Sequence, residues 1–334
     1  MRVKRIRTLT ALLLCLSLLP ALALGQETEP DRENIPSQVK LLPLSDGIYQ
    51  VEGMRRLVES TEGYAPRRMA ERVQAFNEAL DRVDRHIPTY VYYVENSRSH
   101  SLKTEFPEES PQYVYLKENL HADGFDHLKY ATFREYCDYF YTTDHHWNYR
   151  GSYQGYVDIV RMLKGPDEPV LTPSDVLTLP VYYNGAYCRR AKPGFSREYF
   201  TVYRFDPLPA YTAWVKGRQR AYDRMEAYWS GAYSTASMAN HYGLYYGGDS
   251  GKLVMEGESE GKGTLLLFGD SMSNAVKTLL IHHYDRIVCV DLRNFLNDEG
   301  KYCSLRELLR EYPVDQILFL GNTPLFMTGD LIKP

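Results

Sequence analysis

Apolar residues recur along the chain with two distinct periods. Over residues 64–87, Met69, Val73, Phe76, Leu80, Val83 and Ile87 follow one another at steps of four, three, four, three and four, which lines up one face of a helix. Pro88 predicts where that helix stops. TYVYYV at 89–94 is β-branched and aromatic and predicts a strand. In GSYQGYVDIVRMLK (151–164), Tyr153, Tyr156, Val157, Val160 and Leu163 fall on one side of a second helix. Farther on the period changes. TLLLF at 264–268, RIVCV at 286–290 and QILFL at 316–320 are unbroken apolar runs, with helical patterns at 274–283 and 304–312 between them. Continuous apolar strands separated by single helices predict βαβ crossovers and a parallel sheet covered on both faces. Ligands of such sheets gather beyond the carboxyl ends of the strands, so the residues that follow each strand are the first candidates for function.

The first 25 residues form a separate segment. Arg2, Lys4, Arg5 and Arg7 precede the apolar run TLTALLLCLSLLPALAL (8–24), and Ala21-Leu22-Ala23 offers small residues for cleavage. This is the three-part form of a secretory signal peptide; an uncleaved anchor is the other reading, since 17 apolar residues are near the lower limit for a bilayer span. The expected location is secreted or extracytoplasmic, with no membrane span once the signal is removed. Residues 26–46 are polar and punctuated by proline and are expected to be a linker. The fold is then expected over 47–334, with a tyrosine-rich insertion around 165–250.

Composition narrows the partners. The 39 Lys and Arg face 43 Asp and Glu; without the four bases of the leader, 35 face 43 and the charge is −8. A body with that balance has no basic excess to displace counterions, so nucleic acid is not an expected partner. Cys137, Cys188, Cys289 and Cys303 contain no C-x-x-C and no metal-site spacing. Three disulfide pairings are open, although Cys289 inside RIVCV is expected to be a buried thiol. The 29 tyrosines read either as half-buried packing or as the lining of a sugar groove, where a flat apolar face carries a hydroxyl.

Two motifs carry chemistry. The 264–268 strand runs straight into Gly269-Asp270-Ser271 before a helix. A sharp turn there would lift the Ser271 hydroxyl to the carboxyl edge of the sheet, near helix N–H groups able to stabilise an oxyanion. The alternative is that Asp270 or Ser271 only caps the helix. A serine nucleophile needs a base and the base an orienting group. Thr142-Thr143-Asp144-His145-His146-Trp147 supplies both. The acid and the two histidines could equally offer ligands to a metal, but successive side chains diverge in extended chain and no further ligand motif stands out, so neither metal nor cofactor is expected. Gly248-Asp249-Ser250-Gly251 repeats the Gly-Asp-Ser pattern between GLYYG and KLVME and is expected to be a hairpin turn.

TDHHW upstream and FGDS downstream, in that order, resemble the DHHW family of the SGNH-hydrolase superfamily, which is similar to the alginate O-acetyltransferases. The resemblance spans roughly residues 45–325. It implies a flavodoxin-like, SGNH-type α/β fold whose parallel sheet is flanked by helices, with the Asp-x-His motif placed before the Ser motif. It also implies a triad of Ser271, His146 and Asp144, with His145 as the competing base. Asn322, which follows QILFL, is implied as an oxyanion donor; Arg293 and Trp147 are implied as further oxyanion or substrate contacts. For Asn322 a plain turn residue, and for Arg293 a surface ion pair, are the alternatives. The implied activity is that of an exported serine-dependent O-acetyltransferase or acetylesterase acting on a cell-envelope or extracellular polysaccharide. A membrane acyltransferase is an implied partner as the source of its acyl donor. A catalytically silent carbohydrate-binding or assembly protein of the envelope is the alternative, since a fold alone does not grant activity.

Overall fold

The computed structural model describes residues 35–59, 66–83, 86–98, 102, 105–106, 109–191, 198–220, 224–236 and 238–333. The expected signal peptide and most of the expected linker lie outside the described residues. No helix among the described residues is long and apolar enough to cross a membrane.

The centre is an eight-stranded sheet. Its strands in chain order are β1 (Thr89–Tyr93), β2 (Gly124–His127), β3 (Tyr211–Val215), β4 (Arg218–Arg220), β5 (Lys252–Gly257), β6 (Thr264–Gly269), β7 (Arg286–Val290) and β8 (Gln316–Gly321). In space the order is β2-β1-β8-β6-β7-β5-β3-β4. The five strands from β2 to β7 are mutually parallel. The remaining edge is antiparallel, which corrects the expectation of a parallel sheet: the fold is mixed α/β with a mostly parallel sheet. The physical reason is in the connections. β5 reaches β6 through a few residues, too short for a crossover helix.

Side-chain alternation sorts the parallel strands between two cores. Leu265, Leu267, Leu318, Leu320 and Tyr92 point to one face, where they pack with Tyr156, Ile159 and Val160 of the Tyr149–Lys164 helix. Leu266, Phe268, Val288, Phe319 and Val91 point to the other, against Met69, Val73 and Phe76 of the Pro66–Asp81 helix. Burial on both faces is why these strands are apolar at every position.

Several local expectations are corrected. The first helix ends at Asp81, short of Pro88. The helix expected at 274–283 is broken into a 3-10 turn at Ser271–Ala275, one α turn at Lys277–Leu280 and a second 3-10 turn at Ile281–His283. GLYYG is not a strand: it lies in the His241–Tyr246 helix, so Gly248-Asp249-Ser250-Gly251 is a helix-to-strand connection and no hairpin. Leu41–Pro43, inside the stretch expected to be linker, pairs as a strand with Ile48–Val51. The tyrosine-rich insertion does not stand apart, because β3 and β4 complete the central sheet. Tyr183, Tyr187, Tyr228, Tyr242, Tyr245 and Tyr246 are buried, which favours packing over an open sugar groove for these six. Cys137, Cys188, Cys289 and Cys303 are all buried. Burial pushes the Cys289 thiol up to about 11 and, ahead of its charged neighbours, the Cys303 thiol up to about 12.

Trp147 has no exposed surface and lies against Gly155 of the Tyr149–Lys164 helix, where an added Cβ would come within 2.8 Å of the indole. Neither partner has room to retreat. Gly155→Ala is expected to cost about 1–3 kcal/mol by overpacking, seen as a lowered thermal midpoint; an unchanged midpoint would mean that the two elements slide past one another.

Candidate active site

The serine turn starts where β6 ends. Gly269 pairs with Leu320 of β8, so Asp270 and Ser271 leave the sheet beside Gly321 and Asn322. Asp270 caps the 3-10 turn: its Oδ1 accepts the Met272 N–H at 2.9 Å, and its backbone carbonyl accepts from the Ser273 amide and hydroxyl. Its Oδ2 accepts the Asn322 N–H at 3.1 Å and lies so close to Gly321 that a Cβ there would come within 2.6 Å. One carboxylate thus ties the turn after β6 to the turn after β8. Burial raises its pKa, against the opposing pull of Arg293 and of the two amides. Capping therefore falls to Asp270, and the Ser271 hydroxyl is left to meet another group.

That group is His146. Its Nε2 lies 2.7 Å from Ser271 Oγ, and its Nδ1 lies 2.7 Å from Asp144 Oδ1. Asp144 is 1% exposed. Its Oδ1 also accepts the His146 backbone N–H at 3.1 Å; its Oδ2 accepts the Tyr183 hydroxyl and the Ala186 N–H, both at 2.7 Å. Burial works against ionisation here, but the His146 and His145 rings and the hydrogen bonds from His146 and Tyr183 outweigh it and hold the carboxyl well below its ordinary range. A carboxylate on Nδ1 keeps the proton on that nitrogen, which leaves Nε2 as the acceptor facing the serine.

The loop that carries these groups is fixed at both ends. Phe140 and Trp147 form an isolated antiparallel bridge, and Asn148 caps the following helix by accepting the Arg150 and Gly151 amides. The Trp147 indole N–H donates to the Met272 carbonyl at 3.2 Å, joining the histidine loop to the serine turn. Trp147 is thus a buried prop between the two segments, with no exposed surface on its ring.

His145 lies beside the pair without entering it. Its Nδ1 is 3.3 Å from Asp144 Oδ1 and its ring is 4.0 Å from the His146 ring. Desolvation and the neighbouring His146 push its pKa well down. The donor atoms of Asp144, His145 and His146 lie within 4.8 Å of one another, yet both ring nitrogens of His146 already face Asp144 and Ser271. That occupancy suits proton transfer better than ligation.

Asn322 follows the end of β8 and is 1% exposed, with a side-chain oxygen that accepts no hydrogen bond among the described residues. Arg293 is engaged by neighbouring carboxylates. Its guanidinium donates to Asp291 at 2.6 and 2.9 Å and to Asp249 at 3.0 Å, the ion-pair role that was its alternative. Asp249 also accepts the Asn274 amide at 2.7 Å, so the second Gly-Asp-Ser segment braces the serine turn. Three contributors were not found from sequence: Tyr183, Gly185 and Tyr242. Gly185 packs so closely on Asp144 that a Cβ would lie 2.7 Å from Oδ2. Tyr242 stacks on His146 with ring centroids 3.8 Å apart and planes 13° apart, and its hydroxyl donates to the Ser271 carbonyl at 2.9 Å. The only signal for the two tyrosines was the tyrosine excess itself.

Solved structures share this architecture. A DHHW family protein from Eubacterium siraeum superposes with a TM-score of 0.63 at 18% identity, covering 89% of this chain and 97% of that one. The chain has the DHHW-family fold. PatB1 of Bacillus cereus, solved with a sulfonyl adduct, superposes with a TM-score of 0.65 at 17% identity over 88% of this chain and 98% of that one. The O-acetyltransferase domain of Pseudomonas putida AlgJ aligns at 10% identity over 86% and 93%, with a TM-score of 0.41. No family model matches the sequence, and no curated protein does. At these identities the DHHW-type likeness is one of fold.

The depressed Asp144 carboxyl has a signed consequence. Its native pKa lies below the unfolded value of about 3.9, so it adds stability above that pH and loses it as pH falls through the native value. The stability difference between wild type and Asp144→Asn is expected to be full from neutral pH down to about 4 and to shrink at lower pH. Urea melts across pH 2–7 check this; a gap that widens on acidification would contradict the assignment. Tyr183→Phe, which removes one donor to the buried charge, is expected to cost about 1.5–3 kcal/mol in the same melts at neutral pH.

Proposed function

We propose that this chain is an exported serine-dependent acyl-ester enzyme, an O-acetyltransferase or acetylesterase whose acceptor is a cell-envelope or extracellular polysaccharide. The observation that carries the reading is the unbroken line of hydrogen bonds from Asp144 through His146 to Ser271. Export rests on the leader-like residues 1–25, and the polysaccharide on the resemblance of TDHHW and FGDS to the acetyltransferase-related family.

Ser271 Oγ would attack the ester carbonyl of an acyl donor while His146 Nε2 takes its proton, and Asp144 stabilises the imidazolium that forms. Collapse of the tetrahedral intermediate breaks the ester C–O bond, the departing alcohol takes the proton from His146, and the acyl group remains on Ser271. An acceptor hydroxyl then gives its proton to His146 and attacks the acyl-serine; the Ser271 Oγ–acyl bond breaks, His146 returns the proton to Ser271, and the acceptor leaves as the new ester. Water in place of that hydroxyl makes the same site an esterase, so exclusion of water separates the two activities. The Asn322 side chain is the candidate oxyanion donor, because the Met272 and Ser273 amides are already taken by Asp270. A membrane acyltransferase is one source for the donor. The complete line of hydrogen bonds favours an enzyme over a silent binding protein.

The test is incubation with p-nitrophenyl acetate, with and without oligosaccharide acceptors, followed by mass spectrometry of protein and sugar. Ser271→Ala and His146→Ala are each expected to lower turnover by roughly four to six orders of magnitude, and the double variant is expected to be scarcely worse, because nucleophile and base act as a unit. Asp144→Asn is expected to leave more activity, His145→Ala to be mild, and Ser250→Ala to stay within about twofold of wild type. Full activity in Ser271→Ala would end the reading. Acetylated sugar would assign transfer, and acetate alone would assign hydrolysis.

A further inference from the structure

Tyr242 is placed by the insertion, not by either motif, yet its ring covers one face of the candidate base. The two ring planes are 13° apart with centroids at 3.8 Å, close enough for overlap across the whole imidazole. The hydroxyl at the far end of the ring is fixed by the Ser271 carbonyl at 2.9 Å, and the Tyr246 ring packs on it at a tilt, with centroids 5.0 Å apart. Tyr242 is 2% exposed, so the face it offers His146 is dry. A phenol face is electron-rich, and a cation over it is stabilised more strongly when water is absent.

We propose that Tyr242 is a positioning residue that acts through His146: its ring holds the imidazole in the plane that joins Asp144 to Ser271 and stabilises the imidazolium that forms when Ser271 gives up its proton. This rests on the reading of Ser271 and His146 as nucleophile and base. The step adds no co-reactant, since the proton moves from Ser271 Oγ to His146 Nε2 and onward to the leaving alcohol. The hydroxyl has a separate part, as a donor to the turn that carries Ser271. It remains protonated through the working range because burial, ahead of the neighbouring Tyr246, pushes its pKa well up.

The charged and titratable groups around His146 are known from each element packed on it. Asp144 and His145 come from its own loop, with Tyr183 behind Asp144. Ser271 comes from the serine turn and Tyr242 from the His241–Tyr246 helix. Arg98 and Arg189 act on the neighbouring His145. The sign for the ring follows from its charge distribution: a π face favours a cation above it, so weakening the face moves the acid limb of kcat/KM to lower pH.

Tyr242→Phe keeps the ring and is expected to retain activity within about fivefold, with an unmoved acid limb. Tyr242→Leu removes the ring and is expected to lose roughly three- to thirty-fold in kcat, with the acid limb lower by roughly half to one and a half pH units. Mono-, di- and trifluorinated phenylalanines introduced in place of Tyr242 keep the shape and drain the face, so log kcat is expected to fall stepwise with fluorine count. NMR chemical shifts of the His146 ring in the same series need no turnover and are expected to move in step with fluorine count. A flat series in both readouts would overturn the proposal even if Tyr242→Leu fails to fold. Full activity in Ser271→Ala would instead overturn the enzymatic reading, while the NMR series would still decide whether the Tyr242 face acts on His146.

Discussion

An ion without water around it has to be held by hydrogen bonds, and Asp144 is that ion here. Leaving such a carboxylate short of a donor costs kcal/mol that a marginally stable fold does not have. The donors come from two places in the chain: His146 on its own loop, and Tyr183 with Ala186 after the Asp175–Tyr182 strand. The loop and the insertion are consequently locked together before any chemistry is considered. With the carboxylate fixed, the tautomer of His146 is fixed, and Nε2 faces the serine turn. Everything at the carboxyl edge of the sheet is arranged around that orientation.

A second set of bonds holds the two halves in register. The carbonyls of a short 3-10 turn lack the partners a longer helix would give them. Here Trp147 donates to Met272 and Tyr242 to Ser271, so groups from the histidine loop and the insertion satisfy the backbone of the serine turn. This explains why the tyrosine-rich region cannot be read as decoration on the parallel core. Its His241–Tyr246 helix supplies a lid on one face of His146, the segment after its Asp175–Tyr182 strand supplies donors for Asp144, and β3 and β4 extend the central sheet.

The parts of this arrangement legible in sequence are those written in local patterns. TLLLF, RIVCV and QILFL could be placed because a strand buried on both faces is apolar at every residue, and the structure returns β6, β7 and β8 within a residue of those runs. Ser271 and His146 could be singled out because each stands in a short motif, and they meet. The antiparallel edge was illegible because KLVME could pair with either side, and its true neighbour β3 lies about forty residues upstream. GLYYG looked like a strand from its aromatics, but Asn240 caps it as a helix by accepting the Gly243 amide. Tyr183 and Tyr242 carried no local mark at all. Among 29 tyrosines, their significance comes from partners more than twenty-five residues away.

The serine turn shows how capping and chemistry divide a small set of groups. A helix N-terminus after a strand offers free amides that suit an oxyanion, and the sequence pattern invites that reading. Asp270 changes the outcome. By taking the Met272 amide with its side chain and the Ser273 amide with its carbonyl, it converts the expected helix start into a tight 3-10 turn and removes those donors from any anion. The same carboxylate reaches across to the Asn322 amide, which places Asn322 next to the turn at the end of β8. The rigidity that presents Ser271 is thus obtained at the expense of the donors a helix would have supplied. The neighbouring strand end then holds the turn from the side of Asn322, whose side-chain oxygen is buried and accepts no hydrogen bond among the described residues.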